Sequence, residues 1–247
     1  MRCQKQTYLT SITTTEFNMW LALLIVICCI LLFLPIWRRQ IKLQRWRKSL
    51  HLNQHYKVYQ QLYANIDGFA LSKAERTKQD ALEYTYGEID FESFIALLSL
   101  GKPESSTVFY DLGSGIGKAV LACIMAFDVQ KSCGIELFAS LHHCAQQQQQ
   151  RLKRIQGYKN KADRIKFIHG NFMKTNFSDA NLIFINATAF FGETWLAISK
   201  LVEQIQPGAL VITTSKALRS NLFTLDSVTH VKMSWGLVKA YIQQRQT

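Results

Sequence analysis

At 247 residues and 48% hydrophobic side chains, the chain can hold one good-sized domain with a substantial core, plus something small. The net charge of +12 is uneven: residues 1–80 carry 12 basic and 4 acidic side chains, residues 81–247 carry 17 and 13, so most of the excess is N-terminal. Six cysteines (Cys3, Cys28, Cys29, Cys123, Cys133, Cys144) form no CxxC pair and no metal-ligand spacing, which excludes a cysteine-built metal centre and fits free thiols in a reducing compartment.

After an N-terminal tail over residues 1–18, Met19–Trp37 reads MWLALLIVICCILLFLPIW, without a charge. As a helix it would span about 28 Å, close to the hydrocarbon thickness of a bilayer. Trp20 and Trp37 stand at its two ends, where aromatic rings favour the interface. A secretory signal would have a shorter core and a small-residue cleavage site, and a buried core helix would show a polar face. The segment is therefore read as one transmembrane helix. Six basic residues (Arg38, Arg39, Lys42, Arg45, Arg47, Lys48) follow within residues 38–48, with no acid. Positive-inside bias then puts the C-terminal domain on the cytoplasmic side of a single-pass protein. The same run could contact nucleic acid or acidic lipid, but topology alone accounts for it.

Residues 38–81 form a basic linker and a helical cap, with apolar spacing of 3–4 in YKVYQQLYANI. From Thr107 onward, apolar strand patterns alternate with helical ones. Strands are predicted at Thr107–Gly113, Ser132–Leu137, Ile165–Gly170, Asn181–Ala187 and Ala209–Ser215. Helices are predicted at Gly117–Phe127, Ala139–Gln156 and Gly192–Gln206, the last stopped by Pro207-Gly208. The five consecutive glutamines at Gln146–Gln150 continue a solvated helix face. The tail from Val228 to Arg245 has strand composition with a turn near Ser234–Gly236, which predicts a closing hairpin. Alternating βαβ units imply a parallel sheet covered by helices on both faces, with ligands at the carboxyl ends of the strands. Asp111–Gly117, Glu136, Gly170–Phe172 and Asn186 all fall at those ends.

The first strand runs into DLGSGIG. Glycines here let the backbone approach a ligand closely, as in a dinucleotide site. Two details point elsewhere. The spacing is GxGxG, with Asp111 two residues before Gly113, and no Walker motif or partner for a 2′-phosphate appears. Glu136 ends the second strand, where a carboxylate accepts both ribose hydroxyls. An acid in the first turn suits a cationic ligand end. The pattern favours S-adenosylmethionine over a nicotinamide cofactor.

Five motifs in order, YGEIDFESF (Tyr86–Phe94), FYDLGSGIGKAVLACI, GIEL, HGNF and IFINATAFFGE, carry a family resemblance. Over roughly Leu82 to Arg245, the chain resembles the non-SET histone lysine methyltransferases named for disruption of telomeric silencing. DLGSG is common to many class I methyltransferases; YGE with the later FxNxxAF is much more specific. The resemblance implies a class I methyltransferase (Rossmann-like) α/β domain over 82–247, transferring methyl from S-adenosylmethionine to a protein lysine, with a histone as one candidate partner and no metal. By the same resemblance, Tyr86, Gly87 and Glu88 close over the methionine end. Asp111, Gly113 and Glu136 hold the amino acid and ribose, and Ser114, Gly115, Gly117 and Lys118 are also cofactor-binding. Asn171 and Phe172 meet the adenine. Asn186, also at the cofactor, stands at the transfer point with Tyr86 and Phe190, its amide oxygen orienting the amine.

The chain departs from the family pattern at four positions. Asn171 replaces an adenine-binding acid, and Ile89 a threonine. Asn186-Ala187 replaces an Asn-Asn pair, and Thr188 an aromatic, which implies a wider channel or another lysine. The apolar N-terminal segment is not a feature of the nuclear members; it resembles instead membrane-anchored mitochondrial lysine methyltransferases. Plainer readings stand beside these: Tyr86 as a packed aromatic, Phe190 and Phe191 as core, Asn186 as a cap, and His142, His143 and His169 as structural or surface residues. Two other functions fit the composition: a small-molecule or lipid methyltransferase, and a non-catalytic membrane-tethered binding module.

Overall fold

The computed structural model describes residues 14–77, 81 and 84–247. The tail before residue 14 and Leu82, where the resemblance begins, lie outside the described residues. The chain divides into two compact units, Met1–Ser49 and Leu50–Thr247.

In the first unit, helix α1 runs unbroken over Thr14–Ser49 with Pro35 inside it. Among the described residues this is the one helix long and apolar enough to cross a membrane: Asn18–Ser49 contains an 18-residue window of mean hydropathy 3.0. Met19, Trp20, Leu24, Leu31, Leu32, Phe33 and Trp37 are all exposed. The basic run Arg38–Lys48 lies on the same helix as the apolar stretch.

The second unit begins with α2 (Leu52–Tyr63), α3 (Gly68–Arg76) and α4 (Phe91–Leu100). Their starts are legible in local chemistry. Asp67 caps α3 by accepting from the amide of Ala70, and Asp90 caps α4 by accepting from that of Ser93, each satisfying an orphan donor of the first turn. Helix α4 is more apolar than its neighbours and buries Phe91, Phe94, Ile95, Leu97 and Leu98.

Strands β1 (Val108–Leu112), β2 (Lys131–Glu136), β3 (Ile165–His169), β4 (Leu182–Ile185) and β5 (Leu210–Thr214) follow, separated by α5 (Lys118–Ala126), α6 (Ala139–Lys153), α7 (Lys159–Ala162) and α8 (Gly192–Leu201). These five strands pair in parallel. The central strand β1 is buried along its whole length, as an apolar run covered on both faces requires. The last two strands, β6 (Phe223–Met233) and β7 (Gly236–Arg245), form the predicted closing hairpin. The sheet order is β3-β2-β1-β4-β5-β7-β6, with β7 antiparallel between β5 and β6. The order reverses at β1, so the crevice between the carboxyl ends of β1 and β4 is the topological switch point.

Candidate active site

A cavity of about 380 Å³ opens at that switch point. Its floor is the turn after β1. Gly113, Gly115 and Gly117 all have positive φ. At Gly115 (φ +54) a β-carbon would lie 2.7 Å from the Tyr86 ring, so that position needs glycine both for conformation and for space. Gly117 lies outside the lining. It starts α5 in the left-handed region and lets the helix approach Phe167 and Ala145, where a β-carbon would come within 2.6 Å and 3.0 Å.

Two carboxylates face this floor. Glu136, at the end of β2, is 6% exposed, and Asp111 in β1 is 4% exposed. Glu136 accepts from the amide of Gly115 through Oε2 and from that of Phe138 through Oε1, both at 2.8 Å. Each oxygen keeps a lone pair for a diol. Burial pushes the Glu136 carboxyl up, against the pull of those amides. Burial, and then the charge of Glu136, pushes Asp111 up to about 8. Two buried acids with no cation between them among the described residues suit a ligand that supplies one. The hydroxyl of Ser114, buried on the same turn, has no hydrogen-bond partner among the described residues. These observations fit S-adenosylmethionine, with its ammonium, sulfonium and ribose hydroxyls.

Along one wall, Leu137, Phe138, Leu141, Phe172 and Met173 form an apolar slot. Asn171 borders it, its amide oxygen accepting from the amide of Met173 at 2.8 Å and so capping the turn Phe172–Lys174. The opposite wall is the segment from Tyr84 to Ile89. Tyr86 donates to Glu88 at 2.8 Å, and the Lys118 ammonium bonds the other Glu88 oxygen at 2.5 Å. Lys118 also lies over the Tyr63 ring. Burial and the Glu88 charge hold the Tyr86 phenol well above its ordinary range, so it stays neutral. The wall is clipped to the β6–β7 turn. Ser234 donates its amide to the Glu88 carbonyl, Asp90 donates to the Lys232 carbonyl, and Ile89 bridges Met233. The Trp235 ring covers Gly87 so closely that a β-carbon there would lie 2.0 Å from it.

Asn186 stands at the end of β4. Its amide oxygen accepts from Thr214 at 2.8 Å and from Thr188 at 3.1 Å, and its amide nitrogen points to the Gly87 carbonyl at 3.4 Å. The oxygen expected to orient an incoming amine therefore already holds two hydroxyls. Thr188, at the position where the family has an aromatic, also bonds Ser215 at 2.7 Å. Next to it, Lys216 bonds the carbonyls of Thr188 and Phe190 and lies 3.9 Å above the Phe191 ring. Phe190 meets Phe172 edge-on and lines the cavity; Phe191 is exposed.

Of the residues singled out in the sequence, Tyr86, Gly87, Glu88, Asp111, Gly113, Ser114, Gly115, Lys118, Glu136, Asn171, Phe172, Asn186 and Phe190 all line this cavity. His142 stacks on His169 beside α6, off the lining. Sequence reasoning missed Phe138, Met233, Trp235 and the Thr214–Lys216 group. The polar TTSK at the end of a strand was a readable signal for the last; the packing of Trp235 on Gly87, across some 150 residues of chain, was not.

Residues 73–238 match the family described as histone methylation protein DOT1. Among curated proteins, the chain is similar to the H3 lysine-79 specific histone-lysine N-methyltransferases of Caenorhabditis elegans (31% identical over 139 residues, 53% of this chain and 15% of that one). The Candida glabrata counterpart is 25% identical over 152 residues, 59% of this chain and 23% of that protein. The chain thus spans less than a quarter of either relative. Among solved structures, an RNA methyltransferase from Salinibacter ruber in complex with S-adenosyl-L-homocysteine aligns with TM-score 0.50 at 19% identity, covering 63% of this chain and 91% of that one. A putative RNA methyltransferase from Pyrococcus horikoshii aligns with TM-score 0.52 at 13% identity, covering 78% and 98%. At these identities the likeness establishes the fold alone.

Proposed function

Because this chain belongs to the DOT1 family of histone methylation proteins, we propose that it is a protein-lysine N-methyltransferase using S-adenosylmethionine, with histones the first acceptors to try. The observation that carries the reading is the pair of buried acids, Asp111 and Glu136, at adjacent strand ends around a glycine turn. When bound, S-adenosylmethionine supplies a methyl group on a sulfonium, and the acceptor amine's lone pair forms the new N–C bond as the C–S bond breaks. The chain's own work is then to bind, align and exclude water. Glu136 receives a diol, and Asp111 a cation. Tyr86 packs on Gly115 and covers the turn. Glu88, the third acid at the cavity, is engaged by Lys118 and Tyr86, so it serves the wall and not a proton. An amine passing Phe190 loses hydration, which favours its neutral, nucleophilic form.

The N-terminal helix gives this enzyme a membrane anchor in our reading, with the catalytic unit on the cytoplasmic side by the charge bias of Arg38–Lys48. The length and hydropathy of α1 support it. The test is incubation of the full chain in nanodiscs with labelled cofactor and core histones, nucleosomes or membrane extract. Mass spectrometry then identifies what becomes labelled. Label on a lysine of a protein is expected. Label confined to lipid, a small molecule or another side chain would overturn the lysine reading.

A further inference from the structure

The carboxamide of Asn186 has a fixed orientation. The Gly87 carbonyl can only accept, so the amide nitrogen must face it, while the hydroxyls of Thr214 and Thr188 are free to donate to the oxygen. An amide oxygen has two lone pairs, and both are used. What the side chain still offers is its amino group, and that group is turned to the wall over the cavity, not to an incoming amine. Thr188 is itself tied to Ser215 at the end of β5. The result is a chain of polar contacts from the β5 end, through Asn186, to Gly87.

We propose that in this protein Thr214 and Thr188 are positioning residues that hold Asn186 as a latch on the Tyr86–Ile89 wall, and that this latch governs how long the cofactor stays bound. The second point rests on the cofactor reading above. On its far side, Gly87 is covered by Trp235 and its neighbour Glu88 is bonded to Ser234. The wall is therefore held by the hairpin turn outside, by Lys118 on the Glu88 carboxylate, and by Asn186 at the strand ends. Removing one hydroxyl arm frees the carboxamide to turn, and once the nitrogen leaves Gly87 the backbone at Gly87 loses its tie to the strand ends, leaving the hairpin contacts and the Lys118–Glu88 pair.

The test uses the full chain in nanodiscs and two readouts that need no acceptor. The first is amide hydrogen exchange of residues 86–90, in the free and cofactor-bound protein. The second is the dissociation rate of S-adenosyl-L-homocysteine by displacement stopped-flow. Thr214→Val, which keeps shape and loses the hydroxyl, should raise exchange of 86–90 and the dissociation rate about tenfold, the scale of one lost hydrogen bond. Thr214→Ser should restore both to within about twofold of the parent, since it returns the donor. Asn186→Asp, which sets an oxygen against the Gly87 carbonyl, should behave like Thr214→Val or worse. Unchanged exchange and dissociation in a Thr214→Val protein with the parent's thermal midpoint would overturn the latch. Were that variant to unfold, Thr188→Ala and Asn186→Asp carry the same decision. If the parent binds no cofactor, the cofactor reading fails, while exchange in the free protein still decides the latch.

Discussion

With Asp111 facing the cationic end of the cofactor, as proposed, cofactor binding should be a proton-linked event. Its carboxyl is buried in β1 beside Glu136, and burial followed by that neighbouring charge lifts it to about 8. At neutral pH in the free protein it is then mostly protonated. A cationic ligand end favours the carboxylate, so binding expels the proton. Affinity should rise about tenfold per unit below the raised value and level off above it, giving a gain of roughly 50-fold from pH 6 to pH 8. Titration calorimetry of S-adenosyl-L-methionine at pH 7 in two buffers of different ionisation enthalpy should show release of close to one proton. Asp111→Asn should bind more weakly and with no pH slope. Stability of the free protein should move the opposite way. Between the unfolded carboxyl's ordinary value near 4 and the folded value near 8, the unfolded chain has lost a proton that the folded one keeps. Asp111 therefore erodes stability as pH rises through that window, and bound cofactor cancels the erosion. A buffer-independent binding heat with a flat affinity profile would show that no cation meets Asp111.

Three further outcomes follow from particular contacts. Glu136→Ala should weaken cofactor binding by roughly 1.5–3 kcal/mol, the scale of hydrogen bonds to a charged acceptor, read by calorimetry on a folded variant. Gly87→Ala places a β-carbon against Trp235, so the ring must leave; hydrogen exchange of residues 86–90 should rise, and unchanged exchange would mean that the ring does not clamp the wall. His55 is bonded to Tyr158 at 2.6 Å and is pulled down to about 4, first by burial and then by the Lys161 charge. Below pH 6.5 the unfolded chain takes a proton there that the folded one refuses, so the neutral ring's contribution is complete above 6.5 and is lost as pH falls toward 4. In thermal melts across that range, His55→Gln should flatten the pH dependence; an unaltered slope would assign the acid sensitivity elsewhere.

The parallel half of the sheet was legible because β1 to β5 are short apolar runs, separated by helical patterns and bounded by glycine, proline and asparagine. Asp111, Glu136 and Asn186 could be placed because each ends or closes a strand, and strand ends converge in any sheet of this kind. Helix α4 was not predicted as a separate element: YGEIDFESFIALLSL reads as motif, and its capping by Asp90 is plain only once the helix is seen. The hairpin was expected, but not its insertion order. Placing β7 between β5 and β6 is a matter of pairing, and apolar alternation fits either strand at the edge. The role of Asn186 was the least readable part. Its oxygen is claimed by Thr188 two residues on and by Thr214 twenty-eight residues on. Only the first of these could have been suspected from local sequence.

The Thr188 contact also shows how the β4 and β5 ends are tied together beside Asn186. A hydrocarbon ring at position 188 would offer the Asn186 oxygen no second donor, leaving it to accept from Thr214 alone. Threonine supplies the donor, while its hydroxyl is also matched to Ser215. The next residue, Lys216, takes up the loop's carbonyls at Thr188 and Phe190 and covers Phe191 with its ammonium. Burial lowers that lysine's proton affinity, so its charge is kept by those carbonyls and the aromatic face. This end of the cavity is thus held by polar contacts between the β4 and β5 ends. The opposite end is held by positive-φ glycines, with no room for a side chain at Gly115, and by the buried acids Asp111 and Glu136.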